Sequence, residues 1–172
     1  TGQNLEWFFD QWVYTAGLPE LEIKYKYNRR NEHVKLTIKQ TQNIQNSSLF
    51  RLPITVLIDN GEIIRQNIWI EDEESTFLIP SMRNPNMVLV DEGHIIPKRM
   101  NFDKKHTELI YQAKNAPHIL DRIWAIEKLA DQPHKKTIEK TLVHILNNDS
   151  FYGVRIAAAE ALGEYKPRKG EE

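Results

Sequence analysis

Alternation of apolar and polar side chains constrains this chain more than any other feature. In ELEIKYKYN, Leu21, Ile23, Tyr25 and Tyr27 alternate with Glu22, Lys24 and Lys26. HVKLTIKQ repeats the pattern with Val34, Leu36 and Ile38. A period of two puts one set of side chains on each face of a strand, so each segment predicts a half-buried strand with one wet face. The polar NRRNE between them predicts an antiparallel hairpin. FRLPITVLI keeps Phe50, Leu52, Ile54, Val56 and Ile58 in phase, and Pro53 inside it predicts an edge or a bulge. Asp59-Asn60-Gly61 is tight-turn chemistry and leads into EIIRQNIWI. Glu71-Asp72-Glu73-Glu74 reads as a solvated loop, and STFLIP, NMVLVD and HIIPK give three more short extended segments. Strands at this spacing predict an all-β, immunoglobulin-like sandwich of about seven strands over residues 17–100.

After Met100 the period becomes helical. Asp103–Ala113, His118–Ala130, Lys135–Leu146 and Gly153–Glu164 are predicted helices, punctuated by Pro117, Pro133 and Asn147-Asn148-Asp149-Ser150. RIWAIEKLA at Arg122 aligns with RIAAAEALG at Arg155, an offset of 33 residues. Arg122/Arg155, Ile123/Ile156, Ala125/Ala158, Glu127/Glu160 and Leu129/Leu162 match in register. The pairing predicts an all-α, HEAT-like repeat region over residues 101–172, with Ile123, Ala125, Leu129, Ile156, Ala158 and Leu162 as its core. The tetratricopeptide and ankyrin patterns are missing. The plain alternative is two amphipathic helices that agree by chance.

The N-terminal stretch LEWFFDQWVYTAGLP carries five of the chain's sixteen aromatic residues. Leu5, Phe8, Phe9 and Trp12 fall at the i, i+3, i+4, i+7 spacing of one helix face. Gly17 stands where a left-handed cap would end that helix, and Pro19 lies just beyond. A terminal helix over residues 1–16 with so aromatic a face needs a large apolar partner.

Composition narrows the class. Hydrophobic residues at 40% and charged residues at 27% describe a folded, water-soluble chain. No apolar run approaches the roughly 20 residues of a bilayer span, and no signal peptide is visible. Zero cysteines exclude disulfides and thiolate metal sites, and a cytoplasmic location is expected ahead of a secreted one. The chain starts Thr1-Gly2 rather than with Met, which suggests a piece of something longer whose leader would be invisible. Residues 1–100 hold 11 basic and 13 acidic side chains, and residues 101–172 hold 12 and 11. Neither half has the positive excess of a phosphate-binding surface, so neither nucleic acid nor membrane is an expected partner. Arg29-Arg30 and Lys135-Lys136 read as solvated turns.

Catalytic patterns are missing. There is no HExxH, no histidine pair at i, i+4, no GxSxG elbow, no P-loop and no GxGxxG. His134 and His144 are ten residues apart, and His94 stands alone on a predicted strand, so each reads as a surface or satisfied core histidine. Asp121, Glu127 and Glu139 read as solvated or paired carboxylates. The chain by itself is expected to be neither an enzyme nor a cofactor binder.

LEWFFDQWVYTAGLPELEI resembles the junction in aminopeptidase N-like zinc metallopeptidases, members of the gluzincins. There an aromatic-rich helix closes the thermolysin-like catalytic domain and a Gly-x-Pro turn enters a β-sandwich. The matching residues are Trp7, Phe8, Phe9, Asp10, Trp12, Val13, Gly17 and Pro19. The resemblance implies that Leu5, Trp7, Phe8, Phe9 and Trp12 form a domain interface and that Gly17 and Pro19 form the junction. It also implies a non-catalytic C-terminal fragment that acts as scaffold and substrate-chamber module. The partner would be an upstream peptidase domain of the same polypeptide, which would hold the zinc and act on peptides. The family's HExxH helix, third glutamate ligand, Gly-x-Met-Glu-Asn motif and catalytic tyrosine have no matching positions here. No motif chooses among Arg122, Lys128 and Arg155 as the basic residue that anchors peptide in related enzymes. In isolation the aromatic helix is expected to fold back, self-associate or stay exposed. The alternatives are a zinc-less, transcription-subunit-like scaffold and an unrelated protein-protein interaction adaptor.

Overall fold

A computed structural model describes residues 4–43, 48–133 and 135–164. A short helix, α1 (Glu6–Phe9), runs into a π-helical turn at Asp10–Tyr14. Seven strands follow: β1 (Glu20–Asn28), β2 (His33–Gln40), β3 (Leu52–Asp59), β4 (Ile63–Ile70), β5 (Glu74–Pro80), β6 (Met87–Val90) and β7 (Arg99–Phe102). Among the described residues four helices follow: α2 (His106–Asn115), α3 (Ile119–Ala130), α4 (Lys136–Asn148) and α5 (Tyr152–Glu164).

One sheet has the order β5-β2-β1-β7 and the other β4-β3-β6. β1 and β2 are antiparallel, with Ile23 opposite Ile38 and Tyr25 opposite Leu36, so the alternating apolar sets share one face. β7 lies parallel to β1, from Glu20 opposite Arg99 to Ile23 opposite Phe102. β3 and β4 form a hairpin that closes at Asp59 opposite Ile63. Gly61 takes φ +100 in its turn, and its N–H donates to the Asp59 carboxylate at 2.9 Å. β3 is the middle strand of its sheet, so Pro53 sits near a strand start rather than at a sheet edge. The acidic run is not all loop, because Glu74 begins β5.

The chain falls into two compact units. The first runs to Pro85 and takes in Ile95–Asp103, and the second is Asn86–His94 with the chain from Lys104 onward. In the first, Leu21, Ile23, Val34, Leu36, Ile38, Ile54 and Val56 are buried. Gln40 lies among them with its amide satisfied. Its Nε2 donates to the Phe50 and Asp72 carbonyls, and its Oε1 accepts from Phe50 N–H and Gln42 Nε2. In the second, Leu109, Ala113, Ala125, Ile126, Leu129, Ile138, Leu142, Ile145, Val154, Ala158 and Ala161 form the core.

The expected all-β immunoglobulin-like sandwich followed by an all-α HEAT-like region is corrected. The protein is mixed α/β, with seven strands in two sheets and helical segments on either side of them in the chain. β6 is why the two classes do not separate. All four of its residues are buried, and α2 packs on it. Glu108 of α2 accepts from the Val88 N–H, and Lys104 donates to the Val88 carbonyl. A strand tied to a helix by its own backbone cannot be assigned to a separate all-β body. The 33-residue correspondence still has a local structural counterpart. Arg122 donates to the carbonyls of Ala116 and Pro117, and Arg155 donates to those of Asp149 and Ser150. The offsets are the same, six and five residues back, so each arginine closes the turn before its own helix.

Candidate docking interface and buried polar centre

The aromatic segment is anchored from beneath and open above. Trp7 and Trp12 are partly buried, while Phe8 is 42% exposed, Phe9 49% and Tyr14 77%. Leu5 and Val13 are exposed with them. Trp7 meets Trp69 of β4 edge-on at 6.0 Å, and the Arg51 guanidinium stands 5.0 Å from Trp7 and 4.6 Å from Trp69. Such placement over ring faces is favourable for a cation. Glu71 pairs with the same guanidinium. Gln11 adds two bonds to the Arg51 backbone, donating to its carbonyl at 3.2 Å and accepting from its N–H at 2.6 Å. Trp12 leans on buried Phe50 at 5.6 Å. A groove of about 310 Å³ lies beside this packing, between Gln11, Thr15, Phe50 and Arg51.

The helical turn ends at Tyr14 with Thr15 extended as its cap, so Gly17 lies two residues beyond the cap rather than forming it. Thr15 Oγ1 donates to the Asp10 carbonyl at 2.7 Å, tying the end of the π turn to its start. Gly17 takes φ +108 and Pro19 is buried, its carbonyl accepting from Arg99 N–H at 2.9 Å. Leu5, Phe8 and Phe9 thus form one outward apolar group, while Trp7 and Trp12 face the sheet residues below.

The second unit holds a buried polar centre. Lys104 is almost fully enclosed, and its ammonium donates to Gln112 Oε1 at 2.7 Å, pairs with Glu108 at 3.3 Å and lies 5.6 Å from the Trp124 ring. Burial holds its pKa below the ordinary lysine value, with Glu108 pulling the other way. Gln112 donates to the Asp121 carbonyl at 2.9 Å. The Asp121 carboxylate accepts from Gly93 N–H at 2.9 Å and faces His94 Nε2 at 3.4 Å. Burial pushes its pKa up to about 6; the Gly93 N–H, His118 and Lys104 oppose that rise, and Glu92 adds to it. His118 Nε2 faces Glu92 at 3.8 Å.

Of the carboxylates singled out in the sequence, Asp121 belongs to this centre, while Glu127 and Glu139 are exposed. His94 lies not on a strand but in a left-handed turn with φ +51, and His134 lies outside the described residues. Sequence reasoning missed the Lys104 network altogether. The available clue was Asp91-Glu92-Gly93, turn chemistry set against an apolar strand. Among the residues expected in a repeat core, Ala125, Leu129 and Ala158 are buried, and Ile123 and Leu162 pack partly against them. Ile156 is 50% exposed, and Val154 and Ala161 fill the buried positions of α5 instead.

Among the described residues no group of three or more His, Cys, Asp or Glu could hold a metal ion. No described helix is long and apolar enough to cross a membrane. Neither the family models nor the curated proteins include a match to this sequence. Among solved structures the chain is similar to a crystal structure of Legionella pneumophila aminopeptidase A in complex with aspartic acid, with a TM-score of 0.73 and 19% identity. The similarity covers 94% of this chain and 20% of that one, so the chain spans about one fifth of the structure it matches. At that identity the likeness establishes an aminopeptidase-like fold for this segment.

Proposed function

We propose that this chain is a non-catalytic C-terminal segment of a zinc-dependent, aminopeptidase-type metallopeptidase. It serves as scaffold and substrate-chamber module for a peptidase domain earlier in the same polypeptide, which binds the zinc and the peptide. The observation that carries this reading is the outward group of Leu5, Phe8 and Phe9, exposed on a segment fixed by Trp7, Arg51 and Trp69. Burying such side chains is worth about 1.5–3 kcal/mol each, enough to offset the cost of ordering one short connection. Because the segment is already pinned to β4, docking orders little else. The fold likeness to one fifth of an aminopeptidase supports the same reading.

The test is the natural coding sequence that precedes Thr1. The reading expects an HExxH followed further on by a glutamate ligand. A preceding sequence without those ligands contradicts it.

A further inference from the structure

At one end of the first unit the stretch that follows β5, residues 81–84, is fastened to the turns of both hairpins. The Ser81 N–H donates to the Glu32 carbonyl at 2.8 Å, in the turn between β1 and β2. Asn60 Nδ2, in the turn between β3 and β4, donates to Ser81 Oγ at 2.9 Å, and that hydroxyl donates to the Arg83 carbonyl at 2.7 Å. Tyr27 of β1 adds its hydroxyl to the Met82 carbonyl at 3.1 Å. Ser81 and Asn60 are buried, which strengthens the bonds they make. Glu32 takes φ +48, a left-handed position that a non-glycine residue holds only where its surroundings fix it. The loop is therefore held rigidly, yet the side chains it displays, Met82 and Arg83, stay exposed, Met82 by 75%.

Beside this loop lies a cavity of about 500 Å³ lined by Tyr27, Arg29, Glu32, Met82, Arg83 and Asn84. Arg29 and Arg83 reach it from different turns, and among the described residues neither guanidinium has a hydrogen-bond or ion-pair partner. A hollow of about 250 Å³ adjoins it across Glu32, Met82 and Arg83, and Glu62 lines that side. Gly61 leaves room there for Arg83, since a Cβ at Gly61 would stand 3.4 Å from the Arg83 Nη1. We propose that the larger cavity binds a carboxylate of a polypeptide, held between Arg29 and Arg83 with its aliphatic stem on Met82 and the Tyr27 ring. A guanidinium is a planar fork that grips a carboxylate through paired N–H donors. Charge selects the carboxylate over a phosphate. Two guanidiniums against Glu32 leave one positive charge, which a carboxylate cancels. A phosphate dianion would leave negative charge in excess beside Glu32 and Glu62. The exposed Met82 likewise suits an anion carried on methylene groups rather than a bare inorganic one. Because the loop is already fastened, binding orders little besides the two arginine side chains.

The experiment titrates the whole chain, followed by amide NMR, with four probes. N-acetylglutamate α-amide offers a side-chain carboxylate and N-acetylleucine a chain-terminal one; N-acetylglutamine α-amide is the uncharged control, and inorganic phosphate is the dianion. Saturable shifts at Arg29, Met82 and Arg83 are expected with a carboxylate in the millimolar range, and the tighter of the two carboxylates names the source. Arg29→Gln and Arg83→Gln should each weaken that binding about tenfold, since each removes a charge-assisted pair. Arg30→Gln, on the same turn as Arg29 but outside the cavity lining, should change it less than about twofold. All three side chains are exposed, so the variants keep the fold. No saturation with either carboxylate by about 50 mM would overturn the site. So would a glutamine control that binds equally, phosphate that binds as tightly as the carboxylate, or an Arg30→Gln loss as large as that of Arg29→Gln.

Discussion

Arg51 does the work of several residues, and its chemistry explains why lysine would not serve. The planar guanidinium stands close to two indole rings while its edge meets Glu71. Arg51→Ala should cost about 1–2 kcal/mol in urea unfolding, from two cation–ring contacts and the support they give the helix. The change should also raise the exposure of Trp7, read as faster iodide quenching. Lys104 poses the opposite problem, a cation taken out of water and satisfied on every side. Lys104→Met should cost about 3 kcal/mol, because it leaves Glu108 buried against Val88 without its cation. Glu108→Gln in the same background should recover part of that loss, and a double-mutant cycle measures the coupling.

The elements divide by how much of their surroundings is local. β1, β2, β4 and β5 are legible because one face of each meets water, and period two follows directly from that; β3 alternates only as far as Val56, after which Leu57, Ile58 and Asp59 are all buried. β6 is different: MVLV is buried on both faces, so its pattern is silent about which neighbours it has. β7, RMNF, alternates polar and apolar over only four residues, too few to announce a strand, and is held by a parallel pairing with β1 far away in sequence. HIIPK reads as a strand by composition, yet the left-handed His94 ends the strand geometry before it starts. A lysine at position 104 reads as surface in any sequence, because nothing local announces that Glu108, Gln112 and Trp124 will enclose it. The helices were legible in number and approximate extent, and the repeated arginine had a structural basis that the apolar pattern alone did not reveal. α5 makes the packing limit testable. Ala158 is fully buried where helices approach closely, so Ala158→Leu should destabilise by about 1–3 kcal/mol in thermal or urea unfolding.

For the whole molecule, the proposed function draws on the aminopeptidase-like fold and on the outward apolar group of Leu5, Phe8 and Phe9. The chain alone, supplied with zinc, should release no amino acid from peptide substrates. The most direct measurement of the central claim is calorimetric titration of this chain with the separately expressed segment that precedes it in the natural gene. Binding should be measurable for the unaltered chain and at least tenfold weaker with Phe8→Ser and Phe9→Ser together, about 1.4 kcal/mol or more. An unaltered chain that does not bind, or a doubly substituted chain that binds as tightly, would contradict the claim.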